Sequence, residues 1–575
     1  MDTPLEQSVA PSPRLSSLAG KKGKKVLKKQ PPPPAHPALS IPDILEEIIE
    51  PLSISGRAIA ARISSRWLSI ALGKLWKDLD SVLPLLSLIS PLDGGYAASS
   101  VISFRNTLRD VNWARFDSYA RRVRSLNWND DHGILSSEIF AQIFIHRPHT
   151  HPLIPHIRAI YWTASCDRTV MQLLPMACHG SLKTLKLRIK NNCSADSVAT
   201  TLKGLDDRCV RFEDFELETW FNVGAIELPL VSYLCDQAEL RRVGLPEYYG
   251  TKPIVAILGT LPALEVVQMT NRLDETIVGM QWELGEGSFK SLSTLGFNAS
   301  LPMAEALLTR NSLSHISAIS IKLPSAGAFN GGIRPFLLAL ATPCPGLRSI
   351  HLNFNQYPPE IPAIATTDLT PLLNLGGLEI LEIADRRPVI RIDELFVSKM
   401  AYHWPKLRRL QITPEPAEAV PDVFGNPLSI LRAFATSFGS TGKTLESLGL
   451  YFRVNVKALI DTRSTDTLPA LSELNVGTSH IPEGGLFPVA AFLGGLCGPG
   501  LILKAGRQYT EPPINLLGVV QDESPTVARW KQTATAMRMI HDFQSPLRFK
   551  LEVLESSAGR RGQNISWRQT SRGDS

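Results

Sequence analysis

A short pattern of apolar residues recurs through most of the chain and constrains its fold more than any other feature. Each copy has an apolar residue, two unspecified residues, a second apolar residue, one unspecified residue and a third apolar residue. Thirteen copies begin between Val123 and Leu471, at steps of 24 to 38 residues with a mean of 29. A recurrence of this length is typical of repeat architectures. The three apolar anchors of the successive copies are Val123/Leu126/Trp128, Ile157/Ile160/Trp162, Leu182/Leu185/Leu187, Phe212/Phe215/Leu217, Leu240/Val243/Leu245, Leu264/Val267/Met269, Leu292/Leu295/Phe297, Ile316/Ile319/Ile321, Leu347/Ile350/Leu352, Leu378/Leu381/Ile383, Leu407/Leu410/Ile412, Leu445/Leu448/Leu450 and Leu471/Leu474/Val476.

Most intervals between the copies contain a short segment with helical apolar spacing, and clear examples are 253–261, 303–310, 333–341 and 392–400. Each unit therefore predicts a helix, a turn and a short strand, and one unit cannot bury its own apolar face. Stacked units bury a continuous core, so we predict an α/β fold, a leucine-rich-repeat-like solenoid with a curved parallel sheet and outer helices. The alternative is a doubly wound α/β domain, for which thirteen strands would be unusually many.

The repeats depart from the leucine-rich pattern in one respect. That pattern places Asn or Cys three residues after the last anchor, where the side chain bonds backbone groups of the turn. Only Asn355 occupies this position. We therefore expect irregular repeats without a continuous row of asparagines.

The net charge of +6 is confined to the two ends of the chain. Residues 1–30 carry +5 and residues 548–575 carry +3, so the segment between them is nearly neutral. A folded nucleic-acid-binding surface is normally basic, so the charge argues against nucleic acid as a partner. The N-terminal block consists of Lys21, Lys22, Lys24, Lys25, Lys28 and Lys29. It indicates either a nuclear import signal or a solvated tail that aids solubility.

Apolar runs and cysteines bear on the location of the protein. No apolar run reaches the roughly 18 residues that a membrane-spanning helix needs, and the N-terminus lacks the apolar stretch of a signal peptide. The 7 cysteines are scattered and odd in number, which is typical of a reducing compartment. We expect a soluble protein of the cytoplasm, the nucleus or both, without a membrane partner.

The ordered part of the chain is expected to begin at Ile41. Pro42 and the acidic residues that follow suit the start of a helix. A second helix is predicted over about 58–72. The residues with the spacing of one apolar face on the first helix are Ile41, Ile44, Leu45 and Ile48. Such short apolar pieces are too small for an independent core, so they should bury against a partner or the rest of the chain.

Residues with catalytic or metal-binding chemistry do not form a convincing site in the sequence. Segment 439–444 resembles the end of a phosphate-binding loop, but Ser437 stands where that loop needs glycine, and a repeat strand follows where it needs a helix. The clustered histidines His146, His149, His151 and His156 match no zinc-ligand spacing. No Gly-x-Ser-x-Gly elbow is present. We predict no catalytic residue, no metal site and no cofactor.

Residues 41–80 resemble an F-box. The segment Ile41-Pro42-Asp43-Ile44-Leu45-Glu46-Glu47-Ile48 is similar to its opening Leu-Pro-x-Glu-Ile-Leu signature, with Ile41 in place of leucine. Arg66-Trp67 and Leu75-Trp76-Lys77-Asp78-Leu79 are similar to its later landmarks. Irregular repeats follow this segment, with junctions such as 342–352 and 403–410. With both features, the chain resembles the fungal F-box proteins with leucine-rich repeats over residues 41 to about 545.

The resemblance implies a substrate-recognition subunit of a Skp/cullin/F-box ubiquitin ligase. A three-helix F-box would dock on the Skp-type adaptor of the cullin complex, and the repeats would bind a protein target. By family position the adaptor-binding residues would be Ile41, Pro42, Ile44, Leu45, Ile48, Trp67 and Trp76, although internal packing suits the two tryptophans equally. Candidate target-binding residues at strand ends are Arg386, Arg387 and Arg453. The alternative is a non-ligase repeat scaffold with a degenerate F-box.

These expectations divide the chain into six segments. They are a disordered basic, proline-rich tail (1–40), the F-box (41–80), a helical linker (81–122), the solenoid (123–505), a C-terminal cap (506–547) and a disordered tail (548–575). The cap is predicted because 527–543 has the spacing of one amphipathic helix and a solenoid needs its terminal repeat covered.

Overall fold

The computed structural model divides the chain into two compact units, Met1–Leu75 and Trp76–Ser575. The structure describes residues 36–94, 101–129, 135–147, 152–177, 181–207, 211–246, 250–270, 287–310, 313–323, 333–354, 364–385, 390–416, 425–439, 445–460, 466–506 and 524–542. The predicted disordered tail at 548–575 and all of the N-terminal tail before His36 lie outside the described residues. The boundary between the units falls five residues before the predicted end of the F-box segment at residue 80.

The first unit is helical in its described part. A 3-10 turn at Pro37–Ser40 precedes three helices, which are α1 (Pro42–Ile49), α2 (Ile54–Ala60) and α3 (Ser65–Lys77), the last ending just past the unit boundary. Helix α1 starts where predicted, because Pro42 suits the first turn and Asp43 complements the positive end of the helix dipole. The Ser53 hydroxyl caps α2 by accepting a hydrogen bond from the Gly56 N–H at 3.2 Å.

The second predicted helix, over 58–72, differs from the structure. The chain leaves the helical path between Ala60 and Ser65, which divides this region between α2 and α3. Helix α3 then continues through Gly73, because a glycine inside a helix weakens it without necessarily ending it.

Gly73 provides a simple test of this helix assignment. A methyl group placed on its Cα would meet no atom within 4 Å. Glycine inside a helix costs about 0.5–1 kcal/mol relative to alanine, so Gly73→Ala is expected to raise the free energy of opening of α3 by about that amount. Native-state hydrogen exchange of the α3 amides measures the change. Faster exchange in the variant would contradict a continuous helix at this position.

The core of the first unit is small. Its buried members are Ile49, Ala60, Ala61 and Ala71, and the partly buried residues packed on them are Leu52, Trp67, Ile70 and Leu72. Three of the four buried residues are alanines, so the core removes little apolar area from water. The small core agrees with the expectation that these helices bury little apolar surface among themselves.

The second unit is built on a 15-stranded parallel sheet in which spatial neighbours follow chain order. Its strands are β1 (Asp78–Leu79), β2 (Ser125–Asn129), β3 (Ala159–Ala164), β4 (Thr184–Ile189), β5 (Asp214–Glu218), β6 (Arg242–Pro246), β7 (Val266–Thr270), β8 (Thr294–Asn298), β9 (Ala318–Lys322), β10 (Ser349–Asn353), β11 (Ile380–Ala384), β12 (Arg409–Ile412), β13 (Ser447–Leu450), β14 (Glu473–Gly477) and β15 (Ile502–Ala505).

The thirteen predicted strands are confirmed as β2 to β14. In each of them the second and third anchors are the second and fourth strand residues, and the first anchor lies two residues before the strand. The register places anchor beside anchor, as in Leu126 with Ile160 and Trp128 with Trp162. Every anchor is at most 3% exposed. Because side chains alternate along a strand, the anchors bury one face of the sheet and the alternate residues lie on the opposite face, which we call the open face.

Helices connect the strands and pack on the buried face. They are α4 (Leu83–Leu86), α5 (Trp113–Ala120), α6 (Ser137–His146), α7 (Asp167–Ala177), α8 (Ala195–Asp206), α9 (Glu227–Cys235), α10 (Lys252–Thr260), α11 (Leu301–Arg310), α12 (Arg334–Ala341), α13 (Glu394–His403), α14 (Ile430–Phe438), α15 (Val456–Ile460) and α16 (Leu486–Leu496), with 3-10 turns at Leu108–Asp110, Val223–Ala225 and Thr370–Asn374. All four helices predicted between strands are confirmed as α10 to α13. The fold is α/β, a parallel sheet flanked by helices, consistent with a leucine-rich-repeat-like solenoid.

The segment before the first repeat packs into the same core as the repeats. Among its described residues, 81–94 and 101–122, only those of α4 and α5 are α-helical, and a short antiparallel pair joins Leu92–Asp93 to Ser103–Phe104. Buried residues of this segment, including Leu86 and Phe116, belong to the large core cluster. The described part of the predicted helical linker at 81–122 is therefore only partly helical, and it shares its core with the repeats.

Residues 525–542 form a helix, α17, close to the predicted 527–543. The Trp530 indole N–H of α17 donates to the Ser479 carbonyl at 2.7 Å, and Arg529 Nη1 donates to the Ile481 carbonyl at 2.7 Å. Helix α17 thus lies against the last repeats, where a cap is expected. Among the helices in the described ranges, none is long and apolar enough to cross a membrane.

Candidate functional site

A group of exposed aliphatic side chains marks the first unit. Its members are Ile41 (46% exposed), Ile48 (37%), Ile54 (70%), Ile59 (66%), Ile63 (59%) and Leu68 (42%). We refer to these six side chains as the aliphatic surface. They fall within 28 consecutive residues, and apolar side chains that stay exposed can be buried by a partner.

The predicted adaptor-binding residues have different environments. Ile41, Pro42 and Ile48 are exposed, Ile44 is half-buried and Leu45 is only 1% exposed. Trp67 packs on the small core of the first unit. Trp76 belongs to the second unit, where its ring centroid lies 4.7 Å from that of Tyr119. Leu45 and the two tryptophans therefore contribute packing in this structure.

Sequence reasoning missed four members of the aliphatic surface, namely Ile54, Ile59, Ile63 and Leu68. The predicted helix over 58–72 would have placed Ile59 and Ile63 on one face, because they are four residues apart. The structure ends α2 at Ala60 and leaves Ile63 in the turn that follows, so helical spacing does not relate these two side chains.

An ion pair joins two helices of the first unit. Lys74 of α3 hydrogen-bonds Glu50, and its Nζ lies 3.7 Å from Glu46 Oε2 of α1. The hydrogen bond to Glu50 raises the pKa of Lys74, and this effect outweighs the lowering by burial. The lysine is therefore charged at neutral pH and holds the end of α1 near α3.

A second candidate surface is the open face of the sheet. The third residue of each strand from β2 to β15 projects from this face, and the register aligns these residues in one line, which we call the central row. Its members are Asn127, Tyr161, Lys186, Glu216, Gly244, Gln268, Gly296, Ser320, His351, Glu382, Gln411, Gly449, Asn475 and Lys504. The row is polar, as expected for a face that is not buried by helices.

Strands β3 to β5 carry a pocket of about 160 Å³ on the open face. Lys186 Nζ lies 2.8 Å from Glu216 Oε2, and Arg188 Nε lies 2.6 Å from Glu218 Oε2, so cations of β4 pair with acids of β5. The hydrogen bond to Glu216 raises the pKa of Lys186. Tyr161, at 39% exposure, supplies an aromatic wall. Aromatic and ionic groups of this kind suit recognition of a protein surface.

Strands β10 to β12 carry a second charged group. His351 Nδ1 lies 2.8 Å from Glu382 Oε2, and Arg409 Nη1 lies 3.5 Å from Glu382 Oε1. Burial raises the pKa of Glu382, but the hydrogen bond and charge of His351 together with Arg409 outweigh it, so this pKa is lower than its ordinary value. Glu382 is therefore a carboxylate at neutral pH.

Toward β14 the central row is covered. Gln411 and Asn475 are buried, and Asn475 Nδ2 donates to Gln411 Oε1 at 3.2 Å. The chain after β12 covers them, since the Thr478 N–H donates to the Pro414 carbonyl at 3.3 Å. The residues of both charged groups are exposed or half-buried, so they belong to the accessible part of the open face.

Other predicted residues are only partly within the described ranges. Arg453 is exposed at the end of a short strand, Phe452–Arg453, that pairs with Asn426–Pro427. Residues outside the described ranges are Lys21, Lys22, Lys24, Lys25, Lys28, Lys29, His149, His151, Asn355, Arg386, Arg387 and 440–444. Within the described residues, no three His, Cys, Asp or Glu side chains are grouped as metal ligands.

Comparison with known proteins does not show a family for this chain. Neither the protein-family models nor the curated proteins contain a match to this chain. The aliphatic surface and the open face of the sheet are the two candidate functional surfaces of the chain.

Proposed function

We propose that this protein is the substrate-recognition subunit of a Skp/cullin/F-box ubiquitin ligase, with the first unit docking a Skp-type adaptor and the open face of the sheet binding a protein target. The observation that carries the proposal is the aliphatic surface, which lies within the segment that resembles an F-box. The proposal places the protein in the cytoplasm, the nucleus or both.

The energetics of the aliphatic surface favour an obligate partner. Complete burial of an isoleucine or leucine side chain contributes about 1.5–3 kcal/mol relative to exposure. Partial burial of the six exposed side chains would therefore offset much of the cost of association. The alanine-rich core of the first unit adds a second reason, because a partner that binds the folded helices also stabilises them.

The open face supports the target-binding part of the proposal. Strands β2 to β14 are held by anchors that are at most 3% exposed, so the groups at β3–β5 and β10–β12 sit on a rigid support. In this proposal the chain supplies no acid or base for ubiquitin transfer. A bound target instead gains a high effective concentration near the conjugating enzyme.

A binding experiment tests the adaptor contact directly. Purified full-length chain is titrated with a purified Skp-type adaptor, as wild type and as Ile59→Asp. A charge buried in an apolar interface costs several kcal/mol, so the variant is expected to bind at least about 100-fold more weakly. Leu45 is unsuitable for this test, because an aspartate at a side chain that is 1% exposed would disturb folding.

Leu228→Asp is the matched control. Leu228 is a 79% exposed aliphatic residue of α9 in the second unit, so its replacement adds the same charge outside the unit that carries the aliphatic surface. Its adaptor affinity should equal that of the wild type. If the wild type does not bind the adaptor, or if Ile59→Asp binds equally well, the ligase proposal fails and the non-ligase repeat scaffold becomes the better description.

A further inference from the structure

Three side chains on β10 and β11 form a continuous hydrogen-bonded chain. Ser349 Oγ lies 2.9 Å from His351 Nε2, and His351 Nδ1 lies 2.8 Å from Glu382 Oε2. A hydroxyl, an imidazole and a carboxylate linked through the two ring nitrogens are the arrangement that activates a serine nucleophile. The three residues lie on the open face of the second unit.

The carboxylate determines which way the hydrogen bonds run. Glu382 is ionised at neutral pH and can only accept, so His351 Nδ1 must carry a proton and donate it. In the neutral imidazole Nε2 then holds a lone pair, and the Ser349 hydroxyl donates to it. His351 is thereby poised to take the proton of Ser349 Oγ as that oxygen attacks an electrophile.

Regular strand geometry holds these groups in place. Ser349 and His351 are two residues apart on β10, so both project from the open face, and His351 is the direct register partner of Glu382 on β11. The intervening anchors Ile350 and Leu381 are 0% exposed. Ser349 and His351 are half-buried, so a small reagent can reach them.

The charged groups that face the histidine come from both sides. On one side, Glu382 of β11 contacts the histidine and Arg409 of β12 contacts Glu382. On the other side, β9 carries the uncharged Ser320 beside His351 and Lys322 at its exposed end.

The backbone amide of Ser349 is already paired. The Ser349 N–H donates to the Ser317 carbonyl at 3.0 Å, so it cannot stabilise an oxyanion. Loss of one such donor typically slows acyl transfer about 10²–10³-fold.

We propose that Ser349 is an activated nucleophile that accepts acyl or phosphonyl groups from activated esters, with His351 as general base and Glu382 as its positioning residue. The Ser349 Oγ–carbonyl carbon bond forms and the bond to the leaving alkoxide breaks. The proton passes from Oγ to His351 Nε2 and then to the leaving oxygen. In the second step water attacks the acyl carbon, its proton passes through His351 Nε2 to Ser349 Oγ, and the carboxylic acid is released. Without a Ser349 amide for the oxyanion, the acyl adduct should turn over slowly.

A fluorophosphonate probe tests the proposal on the full-length chain. Attack by Ser349 Oγ forms an oxygen–phosphorus bond, and fluoride leaves with the proton taken up by His351. Mass spectrometry is expected to find the adduct on Ser349, and Ser349→Ala should abolish it. His351→Ala should lower the labelling rate at least about 100-fold, the usual size of general base catalysis. Ser320→Ala, which removes a neighbouring hydroxyl on the same face, should label like the wild type.

Conservative replacement of Glu382 separates activation from a structural role. Glu382→Gln should slow labelling, because it removes the charge that orients His351, and Glu382→Asp should restore part of the rate. Wild-type labelling no faster than that of Ser349→Ala would overturn the proposal. So would a rate unaffected by His351→Ala in protein with an unchanged circular dichroism spectrum.

Discussion

Replacing Gly477 by alanine is expected to lower the free energy of opening of strand β14 by about 3 kcal/mol. Gly477 has φ +51°, a conformation that disfavours any side chain. A methyl group at this position would also overlap the Pro414 carbonyl oxygen in the segment that covers the central row. Backbone strain and overpacking each cost about 1–3 kcal/mol, and here both act on the same residue.

Gly484→Ala separates the two contributions. Gly484 has φ +75°, but a methyl group there would meet nothing within 4 Å. Its replacement should cost only about 1 kcal/mol, from the backbone conformation alone. Native-state hydrogen exchange of residues 466–506 measures both variants. An equal decrease in the free energy of opening for the two variants would show that the Pro414 segment is not in tight contact with Gly477.

Trp530→Ala is expected to destabilise the last repeats by about 3–5 kcal/mol, the usual cost of removing a buried tryptophan. Trp530 is 1% exposed, and its indole N–H reaches the Ser479 carbonyl at 2.7 Å. A terminal repeat has a neighbour on one side only, so α17 supplies contacts that an internal repeat receives from the next one. Hydrogen exchange should therefore accelerate most in residues 466–506 and little in β2 to β8.

Trp530→Phe is the matched control for the cap. It keeps most of the ring and loses the hydrogen bond, so it should cost about 1–2 kcal/mol, including the penalty of an unpaired Ser479 carbonyl. If exchange in residues 466–506 is unchanged in Trp530→Ala, α17 does not act as a cap. A uniform acceleration throughout the sheet would instead indicate that the second unit unfolds as one cooperative body.

The repeating architecture of the second unit was predictable from local sequence patterns. Three apolar anchors at fixed spacing predicted thirteen strands, and all thirteen form with the anchors buried. This inference succeeds because side-chain alternation is a local property of an extended chain, and burial of one face follows directly from it. The start of α1 and four helices between strands were predictable for the same reason, since their spacing and end signals are local.

Alignment of the copies of the apolar pattern also contained information about the open face. His351 and Glu382 each lie between the second and third anchors of consecutive copies, so parallel stacking in register places them side by side. Sequence motifs for serine hydrolases could not reveal this cluster, because its members are brought together by neighbouring strands and not by a strand-to-helix turn.

Which apolar residues are exposed and which polar residues are covered depends on contacts between distant segments. Leu45 and Ile48 belong to the same predicted helical face, yet Leu45 is 1% exposed and Ile48 is 37% exposed. Gln411 and Asn475 alternate toward the open face, yet they are buried beneath the chain that follows β12. Burial depends on which distant segment packs over a residue, and periodicity along the chain carries no record of that contact.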